Sequence, residues 1–535
     1  MRPEKNSRDL FKGALILTIA ALITKVLSAM YRVPFQNIVG DVGFYIYQQV
    51  YPFYGAVLVL ATNGFPVIIS KLYAEEAIKQ GKSGVQRLFV ISAVILMLIG
   101  FSGFSLLYWG AEWLAAVMGD MELAQLLQMI AFVFLIFPIV SILRGYFQGT
   151  GNMVPTAVSQ VGEQFVRVLT ILLAAWILTR KESSLYIVGS GAVLGSVTGG
   201  ITAVLLLGAF YWSRRKRIVL SINRMNWREG KKIANALLIQ GFAICISSML
   251  LVFIQMADSL NLYSNLLSSG FTSEGAKELK GIYDRGQPLI QLGTVVATSM
   301  SLSLVPMITS EKLKEQVEYM HEKIRLALQI SLFVGVGATF GLWSIIKPTN
   351  RMLFENSEGS DVLALLCFLI LFTSIIITAT AILQGLGNFL FPAIVILSGF
   401  GVKYGLNMIL VPLFDTVGAA GASIITLCLL MFLLLYKLRI VLKTPILPMR
   451  FFLVISAAAL AMTCVLKLYL YVTDLFPLFE HVRLFTGLQA VSAVILGAIV
   501  YLWIVIKGRT FKEEELAMLP FGSKLMIFLP KKNRS

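Results

Sequence analysis

The stretch LAQLLQMIAFVFLIFPIVSILRGYFQGTGN, residues 123–152, decides the fold class of this chain. Its first part is a largely apolar run of helix length, and it ends in the small polar turn Gln148-Gly149-Thr150-Gly151-Asn152. Only helices and closed barrels satisfy their own backbone hydrogen bonds in hydrocarbon, and a spanning helix needs about 20 apolar residues. The stretch therefore predicts a transmembrane helix followed by a tight connection.

Runs of this kind recur along the 535-residue chain, which is 57% hydrophobic and only 14% charged, with a mean hydropathy of +0.82. This composition excludes an ordinary soluble domain and predicts an all-α polytopic membrane protein. Apolar periodicity and polar breaks indicate about fourteen spans. The predicted spans are 13–36, 43–70, 88–110, 123–148, 154–179, 185–212, 233–259, 282–309, 324–346, 361–386, 390–412, 417–437, 451–472 and 484–506.

The basic residues follow the side of the membrane rather than a nucleic-acid motif. The net charge is +17, but apolar spans interrupt the basic residues and no nucleic-acid-binding module is visible. With the N-terminus inside, Lys and Arg concentrate in inner segments, above all in 213–232, whereas outer loops hold few, among them Lys277 and Lys280. This asymmetry predicts a multi-pass protein of the cell membrane with both termini in the cytoplasm. No cleavage pattern follows the first span, so we expect it to be retained.

A second copy of the turn, Gln384-Gly385-Leu386-Gly387-Asn388, lies 236 residues after the first. The same offset maps Ile46-Tyr47 onto Ile282-Tyr283 and Pro52 onto Pro288. Spans 1–6 and 7–12 are therefore predicted to be duplicated halves that enter the membrane in the same direction, an arrangement that supports rocking between two lobes.

The repeat defines the predicted domains. They are an N-lobe at 1–212, a basic cytoplasmic linker at 213–232, a C-lobe at 233–440, two terminal helices within 441–507 and a basic cytoplasmic tail at 508–535. Within each turn, Gln148, Gly149, Gly151 and Asn152, and likewise Gln384, Gly385, Gly387 and Asn388, are interpreted as a fold motif. The glycines supply backbone freedom to a connection between helices.

Several ionisable residues fall inside predicted spans, where a lipid-facing charge costs roughly 2.5–3.5 kcal/mol. Lys25 and Arg32 lie seven residues apart, on one stripe of the first helix, and Arg285 lies in span 8. Cations predominate among these residues, and guanidinium groups suit phosphate oxygens. The sequence therefore predicts Lys25, Arg32 and Arg285 as substrate-binding residues in a shared cavity. Further candidates for the cavity or for ion coupling are Glu163, Arg167, Asp258, Asp284 and Lys403.

Local pairing is the alternative interpretation of these charges. Glu163 and Arg167, four residues apart, could neutralise one another, and Asp284 could hold Arg285. No catalytic motif is found, and the two histidines and four cysteines lack metal-ligand spacing. We therefore expect no enzyme activity, no metal and no cofactor.

The duplicated turn, the fourteen predicted spans and the segment Thr24-Lys25-Val26-Leu27-Ser28 leading to Arg32 resemble the multidrug/oligosaccharidyl-lipid/polysaccharide (MOP) exporter superfamily. Within it, the chain is most similar to the polysaccharide-export branch, with its stage V sporulation protein B-type proteins and MurJ-type lipid II flippases. In MurJ-type proteins, arginines of the first and eighth helices line the transport cavity. Lys25 and Arg32 match the first-helix pair, with lysine in place of one arginine and one extra residue between them, and Arg285 matches the eighth-helix arginine.

The resemblance implies alternating access driven by membrane potential or by a gradient of H⁺ or Na⁺, without ATP hydrolysis. The expected cargo is an undecaprenyl-pyrophosphate-linked oligosaccharide for peptidoglycan, spore cortex or polysaccharide synthesis, carried by a monomer in contact with membrane lipids. Two alternatives remain open at this point. One is an ion-coupled multidrug exporter that relies on carboxylates such as Asp258, and the other is a membrane scaffold that recruits cell-wall synthesis proteins.

Overall fold

A computed structural model describes residues 3–213, 227–295, 297–299, 317–443, 448–476, 482–508 and 510–511. Every regular element in these ranges is a helix, which confirms the predicted all-α class. Within the described ranges, ten helical runs are long and apolar enough to cross a membrane. A further pair, Gly230–Ser248 and Leu250–Ser268, is bent by 70° and makes an eleventh if it forms one span.

The predicted count of fourteen spans is not confirmed, because two pairs of predicted spans each fall within one long helical run. Leu15–Lys79 covers spans 1 and 2, and Leu390–Leu442 covers spans 11 and 12. Both runs are broken where a loop is predicted: Gly40 has φ 70° and ψ −176°, and Asp415 has φ 51°. Predicted span 8, 282–309, extends beyond the described residues.

The chain forms two compact units. Unit 1 comprises Met1–Asp284 and Gly387–Ala422, and unit 2 comprises Arg285–Leu386 and Ser423–Ser535. The predicted lobes, linker and tail remain predictions.

The described helices of unit 1 include two π-helical turns, Leu60–Gly64 and Ala236–Gly241. Its α-helices are α1 (Pro3–Met30), α2 (Arg32–Val59), α3 (Phe65–Lys79), α4 (Gly81–Trp109), α5 (Ala111–Met118), α6 (Leu123–Gly149), α7 (Val154–Arg180), α8 (Leu185–Trp212), α9 (Trp227–Asn235), α10 (Phe242–Ser248), α11 (Leu250–Ser268) and α12 (Ser273–Asp284). The part of the helix Leu390–Leu442 up to Ala422 completes this unit.

Unit 2 contains the remaining described helices. They are α13 (Gly286–Gly293), α14 (Val317–Ser344), α15 (Ile346–Phe354), α16 (Ser360–Gly385), α17 (Leu390–Leu442, of which the part up to Ala422 belongs to unit 1), α18 (Met449–Asp474) and α19 (Arg483–Lys507). The two last helices pack on α14, where the Tyr501 hydroxyl donates a hydrogen bond of 2.8 Å to the Phe333 carbonyl. Predicted spans 13 and 14 therefore correspond to helices of this unit.

The π-helical turn after α2 has a cause in the sequence. Pro66 lacks the N–H that would bond the carbonyl of residue 62, and its ring crowds that carbonyl, which disfavours a regular α-helical turn here. The carbonyls of Leu60 and Ala61 in the widened turn accept hydrogen bonds from α6, at 3.4 Å from Ser141 and 3.2 Å from Arg144. Side chains of α6 thus bond directly to the backbone that follows α2.

The predicted loop between spans 7 and 8, residues 260–281, is wrong. α11 continues to Ser268, and α12 begins at Ser273. The polar residues that indicate a loop instead make interhelical bonds: Asn261 donates to the Tyr404 carbonyl at 2.8 Å, and Asn265 donates to the Asn407 carbonyl at 3.3 Å. Burial against α17 satisfies them, so they do not need solvent.

Candidate functional site

Arg32 is a charged residue of unit 1 that lies entirely inside the protein. It begins α2 after a turn at Tyr31, and its side chain is completely buried. Its guanidinium lies over the ring of Tyr51, with 4.4 Å from the guanidinium carbon to the ring centre. None of its three nitrogens has a hydrogen-bond partner among the described residues. Since burial of an unpaired cation is costly, these donors are suited to an anion that comes from outside the chain.

Arg167, from α7, is buried on the same aromatic residues. It donates hydrogen bonds to the hydroxyls of Tyr31 at 3.1 Å and Tyr47 at 2.8 Å. Its guanidinium lies 4.1 Å from the ring centre of Tyr54 and 5.5 Å from that of Tyr51. We call Tyr31, Tyr47, Tyr51 and Tyr54 the tyrosine cluster. Aromatic faces and hydroxyls stabilise a buried cation without neutralising it.

The two guanidinium groups are close together. Because the Tyr51 ring centre lies 4.4 Å from one guanidinium carbon and 5.5 Å from the other, these carbons are at most 9.9 Å apart. Neither Arg32 nor Arg167 has a carboxylate within ion-pair distance in the described part of the chain. The arrangement therefore concentrates two positive charges on one aromatic cluster.

The expectation that Glu163 and Arg167 neutralise each other is wrong. The Glu163 carboxylate instead accepts a bond of 2.8 Å from Arg144 of α6, which is completely buried. Arg144 also donates to the Ser159 hydroxyl at 3.1 Å. Sequence reasoning missed Arg144 because it lies near the end of a predicted span, where a snorkelling side chain is ordinary.

Asp258 and Lys403 form a buried ion pair in unit 1, with 2.8 Å between the Lys403 ammonium and the Asp258 carboxylate. Asn407 donates to the same carboxylate oxygen at 2.9 Å, and Tyr283 donates to the other at 3.0 Å. Both candidate coupling residues are therefore brought together in one network.

Asp284 also has a lysine partner in unit 1. Lys280, one turn earlier in α12, lies 2.7 and 2.6 Å from its two carboxylate oxygens. The prediction that Lys280 lies in a loop is wrong, because this residue is in a helix and only 1% of it is exposed. Its spacing of four residues from Asp284 could have revealed the pair in the sequence.

The other two predicted substrate-binding residues lie in different surroundings. Lys25, in α1, is half-buried. Arg285 belongs to unit 2, where it is completely buried and donates to the side-chain oxygens of Asn350 at 3.4 Å and Asn356 at 2.6 Å. A cavity shared by Lys25, Arg32 and Arg285 remains a prediction.

The duplicated turns have the left-handed backbone that their glycines permit. Gly151 has φ 76°, and Gly387 has φ 87°. In the first copy, the Asn152 side chain accepts a bond of 3.2 Å from the backbone N–H of Val154. The remaining motif positions, Gln148, Gly149, Gln384, Gly385 and Asn388, lie at or next to the ends of α6 and α16. Within the residues described, no cluster of His, Cys, Asp or Glu is arranged to bind a metal.

Comparison with known proteins identifies the family. Residues 10–312 match the family described as polysaccharide biosynthesis protein. The chain is also 44% identical over 528 residues to the uncharacterized membrane protein YabM of Bacillus subtilis strain 168, with 98% of both chains covered.

The chain belongs to the polysaccharide biosynthesis protein family.

Two further relatives of Bacillus subtilis have names that state a function or a cellular process. The chain is 25% identical to the lipid II flippase MurJ of Bacillus subtilis strain 168, covering 93% of this chain and 95% of that protein. It is also 25% identical to stage V sporulation protein B of the same organism, covering 96% and 98%.

Solved structures agree on the fold. A structure of the lipid II flippase MurJ in an inward closed conformation matches with a TM-score of 0.65 and 17% identity, covering 92% of this chain and 98% of that one. An inward-facing multidrug resistance MATE transporter of the MOP superfamily matches with a TM-score of 0.62 and 15% identity, covering 81% and 99%. The predicted membership of the MOP superfamily is confirmed, and the chain is a multi-pass membrane protein.

Proposed function

We propose that this chain is a flippase for an undecaprenyl-pyrophosphate-linked oligosaccharide, either a lipid II-like peptidoglycan precursor or a polysaccharide repeat unit. The observation that carries the proposal is the buried guanidinium of Arg32, whose three nitrogens have no partner among the described residues. The printed function of MurJ, a lipid II flippase, supports the choice of cargo class.

The chemistry of the tyrosine cluster fits a pyrophosphate head group. A guanidinium binds phosphate oxygens through two parallel hydrogen bonds, and charge-assisted bonds of this kind are stronger than neutral ones. Arg32 offers all its donors, and Arg167, at most 9.9 Å away, keeps an unused Nε donor. In the proposed complex, each of the two adjacent phosphates meets one of these guanidinium groups. The hydroxyls of Tyr31 and Tyr47 hold Arg167 in place while it does so.

The proposed transport cycle is alternating access between two lobes, with the head group in the cavity and the lipid tail outside it. Lys25 is proposed to add positive charge on the same side as Arg32, and Arg285 to bind the head group from the other lobe. Coupling to membrane potential, H⁺ or Na⁺, a monomeric state, cytoplasmic termini and contact with cell-wall synthesis proteins are parts of the same proposal.

The test is translocation in proteoliposomes that contain the full-length protein and a fluorescent pyrophosphate-linked oligosaccharide lipid. Wild type is expected to move the label across the bilayer, and Arg32→Gln is expected to reduce the rate at least tenfold. Arg180→Gln is the matched control, because Arg180 is an exposed arginine at the end of α7. A wild type without translocation activity, or equal rates for Arg32→Gln and Arg180→Gln, contradicts the proposal.

The multidrug exporter remains the second candidate because the chain shares its fold with MATE transporters. That candidate needs a carboxylate available to a cationic drug or coupling ion. Asp258 and Asp284 each already contact a lysine ammonium, at 2.8 and 2.6 Å, which disfavours it. Drug efflux that is lost on substitution of Asp258 but not of Arg32 would support this candidate. Cell-wall synthesis that is unaffected by substitution of either residue would favour the scaffold.

A further inference from the structure

The Lys403 ammonium of unit 1 is surrounded by oxygen atoms in a completely buried position. It lies 2.8 Å from a carboxylate oxygen of Asp258, 2.8 Å from the side-chain oxygen of Asn407 and 2.6 Å from the backbone carbonyl of Ala419. A carboxylate, an amide and a backbone carbonyl are also the ligands that hard metal cations bind.

These three oxygens come from three separate stretches of chain. Asp258 belongs to α11, Asn407 to the first part of α17, and Ala419 follows the break at Phe414 and Asp415. Interrupted membrane helices expose backbone carbonyls, and transporters coordinate sodium ions or protons at such breaks. The Lys403 side chain reaches across this break and bonds to both sides of it.

A second layer of hydrogen bonds orients the oxygens toward the ammonium. Asn407 donates its amide to Asp258 at 2.9 Å and to Asn261 at 2.8 Å, which directs its own oxygen to Lys403. Tyr283 donates to the remaining carboxylate oxygen of Asp258 at 3.0 Å. This is the arrangement by which outer residues fix the ligands of a bound cation.

Lys403 is the cation in direct contact with Asp258, at 2.8 Å. The neighbouring pair Lys280 and Asp284 interacts with them electrostatically, and Arg32 acts on Asp284. Without the Lys403 ammonium, the oxygens of Asp258, Asn407 and Ala419 lose the cation that they share.

We propose that the Lys403 ammonium occupies this site in place of an inorganic monovalent cation. Lys403 is thus a positioning residue that joins α11 to both sides of the break in α17. In the wild type this site does not bind sodium or potassium, because the ammonium fills it. Removal of the Lys403 side chain creates a site for one of these ions. This inference goes beyond the proposed function, because it concerns a cation site and does not depend on the cargo.

The test compares thermal unfolding of full-length wild type and Lys403→Ala in choline chloride, NaCl and KCl at constant ionic strength. In choline chloride the variant is expected to unfold several degrees below wild type. Sodium or potassium is expected to restore part of this loss saturably, since a ligand bound only by the folded state stabilises it. In the wild type, no saturable sodium or potassium effect that depends on Asp258 is expected, because the ammonium already occupies the site.

Asp258→Asn combined with Lys403→Ala is the matched control, because it removes the carboxylate and is expected to abolish the saturable recovery. Lys403→Ser is a second variant, used if Lys403→Ala does not fold. Lack of cation-specific recovery in either variant, or failure of both to fold in every salt, overturns the proposal. A saturable increase of the wild-type unfolding midpoint by sodium or potassium, removed by Asp258→Asn, also overturns the proposal. The assay contains no lipid-linked oligosaccharide, so a negative result for the cation site does not bear on the flippase proposal.

Discussion

Arg144 donates a hydrogen bond of 2.8 Å to Glu163, so the carboxylate one turn before Arg167 already has a cationic partner. Arg167 is left to the hydroxyls of Tyr31 and Tyr47. A structural ion pair on α6 and α7 therefore lies beside a guanidinium that remains positively charged. Arg144 is neutralised by a carboxylate and Arg167 is not, and the first two predictions test this difference.

Arg144→Met is expected to destabilise the protein by about 3–5 kcal/mol, because it leaves the Glu163 charge buried without a partner. The double variant Arg144→Met, Glu163→Leu is expected to recover most of that loss, since no unpaired charge remains. Denaturant unfolding of both single variants and the double variant measures the coupling energy. Additive losses would show that the two side chains do not stabilise each other.

Tyr47→Phe is expected to cost about 1.5–3 kcal/mol, because the hydroxyl that accepts the 2.8 Å bond from Arg167 is lost. Tyr54→Phe is the matched control: its ring lies 4.1 Å from the same guanidinium, but its buried hydroxyl has no partner among the described residues. Thermal or denaturant unfolding distinguishes the two. An equal effect of both changes would mean that ring contacts, and not the hydroxyl, hold Arg167.

A pyrophosphate-bearing short-chain lipid is expected to stabilise wild type more than the corresponding monophosphate, because two guanidinium groups then have a phosphate each. Arg32→Lys is expected to reduce this difference, since an ammonium lacks the planar fork that binds two oxygens. Ligand titrations followed by thermal unfolding measure both effects. Equal affinities of the wild type for the two lipids would argue against two phosphate contacts at the tyrosine cluster.

Gly151→Ala is expected to destabilise the protein by about 1–2 kcal/mol, because its φ of 76° is left-handed and a Cβ is unfavourable there. Gly151→Asn is expected to cost less, since asparagine tolerates this conformation better. Gly208→Ala, in α8 with open space around the added Cβ, is expected to stabilise by about 0.5–1 kcal/mol. Unfolding midpoints test this order, and a harmless Gly151→Ala would contradict it.

The helices that the sequence predicts best are those surrounded by clear polar breaks. The predicted spans 154–179 and 185–212 correspond to Val154–Arg180 and Leu185–Trp212, because long apolar runs fix a membrane helix independently of its neighbours. The segment 260–281 was mispredicted for the complementary reason. Its polar residues bond to α17, and hydropathy does not distinguish a buried polar helix from a loop.

For the candidate site, the sequence predicts the charged residues but not their partners. Unusual charges inside apolar runs indicate Arg32, Arg167, Asp258 and Lys403 without any structure. Their partners depend on which helices pack together, so Arg144 and the contact between Asp258 and Lys403 could not be derived from spacing along one helix. The tyrosine cluster was missed because tyrosines carry no charge and are common among apolar residues.

The bonds from Ser141 and Arg144 to the carbonyls of Leu60 and Ala61 also bear on motion in unit 1. A slide of α6 by one residue past this turn would break both bonds and pull Arg144 away from its backbone acceptor. We therefore expect the turn after α2 and the middle of α6 to travel as one body during any conformational cycle, with bending confined to other points such as Gly40.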